Sequence, residues 1–291
     1  MTPQNSSHGS AHANAPTPKS TGANNRAGQV AAFFDLDKTI IATSSVSAFS
    51  RPFYSQGLIT KTGALRSAYA HFMYMMGGAN ADQTERMRQQ LSALVTGWPV
   101  EQVTAVVSDT LHQYIDPYVY AEALDLIAAH HARGHAVVIV SASGAEVVNP
   151  IATMLGADHT IATRMEIVDG KYTGNIEFYA YGEQKAEAIQ ELASERGFDL
   201  SRSYAYSDSI TDVPMLCAVG HPHSVNADRA FRKYCDEQGW ESLTFEKPVS
   251  LGKMSTPAKS ALVLGSLTLA GLGIGLAVRA VKLTRARPTS G

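Results

Sequence analysis

The run Ala31-Ala-Phe-Phe-Asp-Leu-Asp-Lys-Thr-Ile40 ends an apolar stretch in two carboxylates, with Thr39 two residues beyond the second. Acids this close at the end of a buried segment repel each other unless a cation or a proton lies between them, so Asp35 and Asp37 point to metal-assisted acid chemistry. Three further places carry groups of a matching kind. Ser141 follows the apolar run Ala136 to Val140, Lys185 lies near the start of a helical stretch, and Asp208-x3-Asp212 follows Ser203 to Tyr206. Each has a plain structural reading: Ser141 as a helix cap, Lys185 as a solvated side chain, Asp208 and Asp212 as acids favoured by a helix dipole. Together, and in that order, they read as one site.

The elements that must position these groups follow from periodicity. Val30 to Phe34 reads as a short central strand. Residues 44–116 change character: Ala64 to Met76, Gln83 to Val95 and Val100 to Tyr114 carry apolar residues at helical spacing, as expected for a helical insertion. Pro117 is expected to open a helix running to His131 and ending at Gly134. After the strand from Ala136 comes a helix to Leu155. Thr160 to Val168 and Lys171 to Phe178 flank Asp169-Gly170, a two-residue hairpin signal. Glu183 to Glu195 is helical, Ser203 to Tyr206 a strand, Asp212 to Ala218 helical, His223 to Asn226 a strand and Ala227 to Glu237 a helix. Strands alternating with helices imply a parallel sheet covered on both faces. Open sheets of this kind bind ligands at the carboxyl ends of their strands, where Asp35, Ser141 and Asp208 fall.

The 291 residues are 45% hydrophobic, with a formal charge of -2, so no chain-wide basic field points to nucleic acid. Cys217 and Cys235 are the two cysteines, too few for a disulfide framework and in keeping with a reducing compartment. Cys217-x3-His221-x-His223 has metal-like spacing but no second ligand pair, and reads as a helix end followed by a loop. Residues 1–28 are poor in large apolar side chains and are expected to be disordered; they lack the apolar core of a secretory signal.

The motifs Phe33-Phe-Asp-Leu-Asp-Lys-Thr39, Val138-Ile-Val-Ser-Ala-Ser143, Tyr181-Gly-Glu-Gln-Lys185 and Tyr206-Ser-Asp-Ser-Ile-Thr-Asp-Val-Pro-Met-Leu216 resemble those of the haloacid dehalogenase-like superfamily, in its phosphoserine-phosphatase-like branch. The resemblance covers about Val30 to Glu246. It implies that Asp35 is a nucleophile forming an aspartyl phosphate and that Asp37 is the acid and base. It also implies Mg²⁺ held by Asp35, the Asp37 carbonyl and Asp208, with Thr39, Ser141, Ala142 and Lys185 on the phosphate. Backbone amides of Leu36, Ala142 and Ser143 would join them, and Thr211 and Asp212 would sit behind the metal and lysine. Two departures bear on substrate: Ser44 stands where phosphoserine phosphatases carry a glutamate, and Thr211 replaces the family's asparagine. Arg86 and Arg88 lie near where a carboxylate-binding arginine is expected, and Lys38 adds a cation that faces either the substrate or solvent.

Ala261 to Val278 is an uncharged stretch of 18 residues between Lys259 and Arg279. As a helix it would extend roughly 27 Å, close to a bilayer core. Four basic residues follow it (Arg279, Lys282, Arg285, Arg287) against Lys253 and Lys259 before it. The positive-inside tendency would therefore place the tail in the cytoplasm, while the absent signal, the cysteines and the use of Mg²⁺ favour a cytoplasmic catalytic domain.

The expected architecture is thus α/β, a Rossmann-like parallel sheet core with a helical cap inserted after the first strand and a hydrophobic C-terminal helix. The expected boundaries are a disordered segment at 1–28, a catalytic core at 29–43 and 117–247, a cap at 44–116, a linker at 248–259, a transmembrane helix at 260–282 and a basic tail at 283–291. The expected function is a membrane-tethered, Mg²⁺-dependent hydrolase of a small-molecule or lipid-derived phosphomonoester. Phosphoserine phosphatase is the alternative, and a catalytically silent regulator the second.

Overall fold

The computed structural model describes residues 28–59, 89, 92–93, 95–246 and 248. Most of the first two expected helices of the insertion, Arg86 and Arg88, and the apolar segment 260–282 lie outside the described residues. Among the described residues, no helix is long and apolar enough to cross a membrane.

Seven strands form one sheet. β1 (Ala31–Asp35), β2 (Ala136–Gly144), β3 (His159–Val168), β4 (Lys171–Phe178), β5 (Tyr204–Ser207), β6 (His221–Val225) and β7 (Glu241–Leu243) lie in the order β4-β3-β2-β1-β5-β6-β7. All neighbours are parallel except β3 and β4. β1 is central and buried at every residue, which is why its sequence is apolar rather than alternating. Asp35 pairs with Val140 and Phe34 with Tyr206. This register sets the ends of β1, β2 and β5 side by side.

The alternation of side chains along β1 divides the core in two. Phe34 packs on one face with Ile40, Phe49, Val107, Ile127 and Val148. Phe33 packs on the other with Val138, Ile189, Met215 and Phe231. The first face is covered by α1 (Ser45–Ser55), α2 (Val100–Tyr114), α3 (Ala121–Ala132) and α4 (Ala145–Leu155), and the second by α5 (Glu183–Arg196), α6 (Val213–Cys217) and α7 (Arg229–Gln238). In the hairpin between β3 and β4, Asp169 and Gly170 both have positive φ (50° and 73°), the geometry that an Asp-Gly pair supplies in a primed turn.

Five details differ from the expectation. Pro117 lies in a 3-10 turn, Asp116–Tyr118, and the helix begins only at Ala121. The reason is tertiary: Ala42 N–H donates to the Tyr118 carbonyl and Tyr120 N–H to that of Ile40, which holds residues 119–120 extended. β2 continues through Ser141 to Gly144, with a register shift against β3. The helix over Val213–Cys217 is preceded by a 3-10 turn, Ile210–Asp212, and His221 opens β6 rather than lying in a loop. β7, a three-residue edge strand, has no counterpart in the sequence reading.

Candidate active site

The carboxyl end of β1 turns sharply. Ile40 and Ile41 both donate to the Leu36 carbonyl, and Lys38 N–H donates to that of Thr43. Lys38 adopts a φ of 64°, a left-handed conformation uncommon for a side chain other than Asn or Asp. The turn holds Asp35 and Thr39 inside and leaves Lys38 exposed.

Asp35 meets Lys185, which reaches in from the first turn of α5. Lys185 Nζ lies 2.7 Å from Asp35 Oδ1 and 2.8 Å from Asp212 Oδ2, and all three side chains are buried. Ser207 Oγ donates to the same Asp212 oxygen at 2.7 Å. Thr39 Oγ1 donates to Asp35 Oδ2 at 3.2 Å and accepts Asp208 N–H at 3.0 Å. It therefore ties the ends of β1 and β5 together. Ser141, also buried, accepts the Ser143 N–H at 3.2 Å, which leaves its hydroxyl proton for donation among the described residues. The Ala142 carbonyl accepts from Thr163 Oγ1 at 2.7 Å. Asp37 Oδ1 accepts Ser45 N–H at 2.9 Å and Oδ2 accepts Ser143 Oγ–H at 3.2 Å. Thr211 packs its hydroxyl on Ser209 Oγ at 2.9 Å. Ser44 caps α1 through its carbonyl, which accepts from Ala48 N–H.

Burial pushes the Asp35 carboxyl up; Lys185 pulls it down, and Asp212 and Asp208 push it up further. Asp208 rises to about 6, chiefly through burial, with Lys38 and Lys185 opposing and Asp212 adding to the rise. Asp37 is raised by burial against its bonds from Ser45 and Ser143. Burial alone would lower Lys185, but Asp212 and Asp35 outweigh it and hold the ammonium charged. The cluster thus sets three carboxyl groups against one buried ammonium, and the raised proton affinities of Asp35 and Asp208 mark a place short of positive charge. Among the described residues, no three acidic, histidine or cysteine side chains form a ready-made metal cage. Two carboxylates and a carbonyl, all hard oxygen donors, nonetheless suit Mg²⁺, which keeps several of its waters. The charge deficit and the donor chemistry therefore fit that ion.

The structure brings Asp35, Lys185, Asp212, Thr39 and the Asp208 backbone into one bonded network, and Asp37 and Ser141 into a second one through Ser143. The sequence reading did not single out Ser45, Ser207 or the Ser143 hydroxyl. The only available signal was their position beside residues already chosen.

A family model for haloacid dehalogenase-like hydrolases matches residues 32–217. The chain belongs to this family. A haloacid dehalogenase-like hydrolase with these motifs has relatives at high identity. An inhibition of morphological differentiation protein of Streptomyces azureus is 57% identical over 240 residues, covering 81% of this chain and 87% of that one. A probable phosphatase of Mycobacterium tuberculosis is 52% identical over 255 residues, 88% of each chain. A phosphoserine phosphatase of the same species is 32% identical over 238 residues, 81% of this chain and 77% of its own. The last agrees with the resemblance to the phosphoserine-phosphatase-like branch.

Proposed function

We propose that this haloacid dehalogenase-like hydrolase is a Mg²⁺-dependent phosphomonoester phosphatase that works through an aspartyl phosphate on Asp35. The observation that carries the proposal is the buried bridge from Lys185 to Asp35 and Asp212, beside Asp208, at the carboxyl ends of the central strands. A solvated lysine would not be buried between two acids. An ammonium placed there neutralises charge on a carboxylate as it attacks an anion.

Asp35, the Asp37 carbonyl and Asp208 would hold Mg²⁺, which when bound lowers the repulsion between nucleophile and phosphate and stabilises the transferring oxygens. The Asp35 carboxylate forms a bond to phosphorus as the ester oxygen leaves. Asp37 gives that oxygen its proton, and its raised affinity for a proton suits the role. Ser141 and Lys185 donate to the phosphoryl oxygens, where preorganised donors yield most of the rate gain. In the second step Asp37 takes a proton from water, the water oxygen bonds to phosphorus, and the bond to Asp35 breaks. Inorganic phosphate and the free carboxylate result.

The phosphoserine phosphatase among the relatives favours that substrate as a second reading, and Ser44 in place of the glutamate argues against it. The uncharged run Ala261 to Val278 supports tethering of the enzyme to a membrane. Truncation after Glu246 should then move the protein from the membrane to the soluble fraction. The catalytic proposal is tested by Asp35→Asn, which should abolish Mg²⁺-dependent phosphate release from p-nitrophenyl phosphate. Undiminished release would refute the nucleophile.

A further inference from the structure

Asp37 is gripped from two sides by groups to which the scheme above gives no task. Its Oδ1 accepts the amide of Ser45, the first residue of α1, and its Oδ2 accepts the hydroxyl of Ser143, near the end of β2. The two serine hydroxyls lie 2.8 Å apart. Both serines are buried, Ser45 completely and Ser143 to 8% exposure. Ser143 gives its proton to Asp37, so in the pair with Ser45 it accepts, and the bonds run from Ser45 to Ser143 to Asp37. A carboxylate on a short side chain turns about two bonds. One donor on each oxygen, one a fixed amide and the other a hydroxyl itself braced, removes both freedoms. Each carboxylate oxygen retains a second acceptor position for the proton it passes.

We infer that Ser143, braced by Ser45, is a positioning residue that aims Asp37 at the leaving oxygen. The inference rests on the reading of Asp37 as the acid. Hydroxyls serving the core alone would carry no such direction, and alanine would fill the same space without a polar atom to satisfy. The consequence is selective. Aiming the acid matters when the departing oxygen needs a proton, and matters little when it leaves as a stable anion.

The experiment compares kcat/KM for p-nitrophenyl phosphate and for simple alkyl phosphates in the full chain with Mg²⁺. In Ser143→Ala, alkyl phosphates should lose about 10- to 100-fold, the range of a misplaced catalytic group, and p-nitrophenyl phosphate less than about 3-fold. Ser143→Thr, which restores a hydroxyl, should recover most of the alkyl rate. Ser45→Ala keeps the amide and removes only the brace, so it should show a smaller loss with the same selectivity; it also keeps the test readable if Ser143→Ala does not fold. Equal losses for both substrates, or none for alkyl phosphates, would overturn the inference while leaving the phosphatase reading intact. Retained turnover in Asp35→Asn would instead strike at that reading.

Discussion

Lys185 Nζ lies 2.7 Å from Asp35 Oδ1 although 150 residues separate them in the chain. The same ammonium reaches Asp212, so a single cation holds two carboxylates that would otherwise repel. Replacing it with methionine keeps the bulk and removes the charge. Lys185→Met should lower kcat by about 10²- to 10³-fold, the cost of losing a preorganised donor. It should also destabilise the fold by roughly 3–5 kcal/mol in the absence of metal, since two buried acids lose their partner. Thermal melts in chelator check the second part; an unchanged Tm would mean that the bridge contributes nothing to stability.

The cluster of Asp35, Asp208 and Asp212, short of positive charge, should take up a divalent cation as a stabilising ligand. Mg²⁺ at about 100 times its Kd should raise the unfolding free energy by about 2.7 kcal/mol. Asp208→Ala should erase that response. Chelation should stop phosphate release and Mg²⁺ should restore it. A Tm indifferent to Mg²⁺ in the wild type would count against the ion.

Thr39 links the two acids through a buried hydroxyl that donates to Asp35 and accepts from Asp208 N–H. Thr39→Val leaves that amide and that carboxylate oxygen without a partner and should cost about 1–3 kcal/mol. Thr39→Ser keeps the hydroxyl and should cost less. Urea denaturation of both variants separates the loss of the bond from the loss of the methyl group.

A further network, centred on buried His130, should make the fold sensitive to acid. His130, fully buried, has Nδ1 2.9 Å from His135 Nδ1 and Nε2 2.9 Å from the Tyr206 hydroxyl. Burial lowers its pKa to about 4, with His135, Arg133, His223 and His131 adding to the shift. The folded state therefore binds this proton more weakly than the unfolded chain does. The contribution of neutral His130 is complete above the ordinary histidine range near pH 6.5 and is lost as pH falls toward 4, in total roughly 3 kcal/mol. His135 and His223 are lowered as well, again mainly by burial, and steepen the same limb. Unfolding free energies measured between pH 7 and 4 should fall, and His130→Gln should flatten the decline.

How much of this was legible in the sequence depended on residue type. Asp35 and Asp37 stood out because acids rarely end an apolar strand without a partner, and Lys185 and Asp208 because they recur at strand and helix ends. The hydroxyls did not stand out. Ser45, Ser143 and Ser207 look in sequence like any cap or turn residue, and only contacts across the fold show that they bond to Asp37 and Asp212. The misplaced start of the helix after Pro117 has a similar cause. The local signal was a proline suited to a first turn, and bonds to Ile40 and Ala42, far back in the chain, decided otherwise. The hairpin at Asp169-Gly170 was legible because its geometry is local.

The strand that ends in Asp35 is the first described strand in the chain but the middle one of the sheet. Its neighbours begin at Ala136 and Tyr204, and its Ala31 amide is satisfied by Ser203, 172 residues later. During synthesis β1 must therefore wait, apolar and unpaired, until most of the domain has left the ribosome. Contacts of such long sequence separation form slowly and expose their partners meanwhile. No N-terminal fragment ending before Asp212 holds the complete ion bridge, so the nascent chain should be inactive until nearly all of the catalytic fold has been translated.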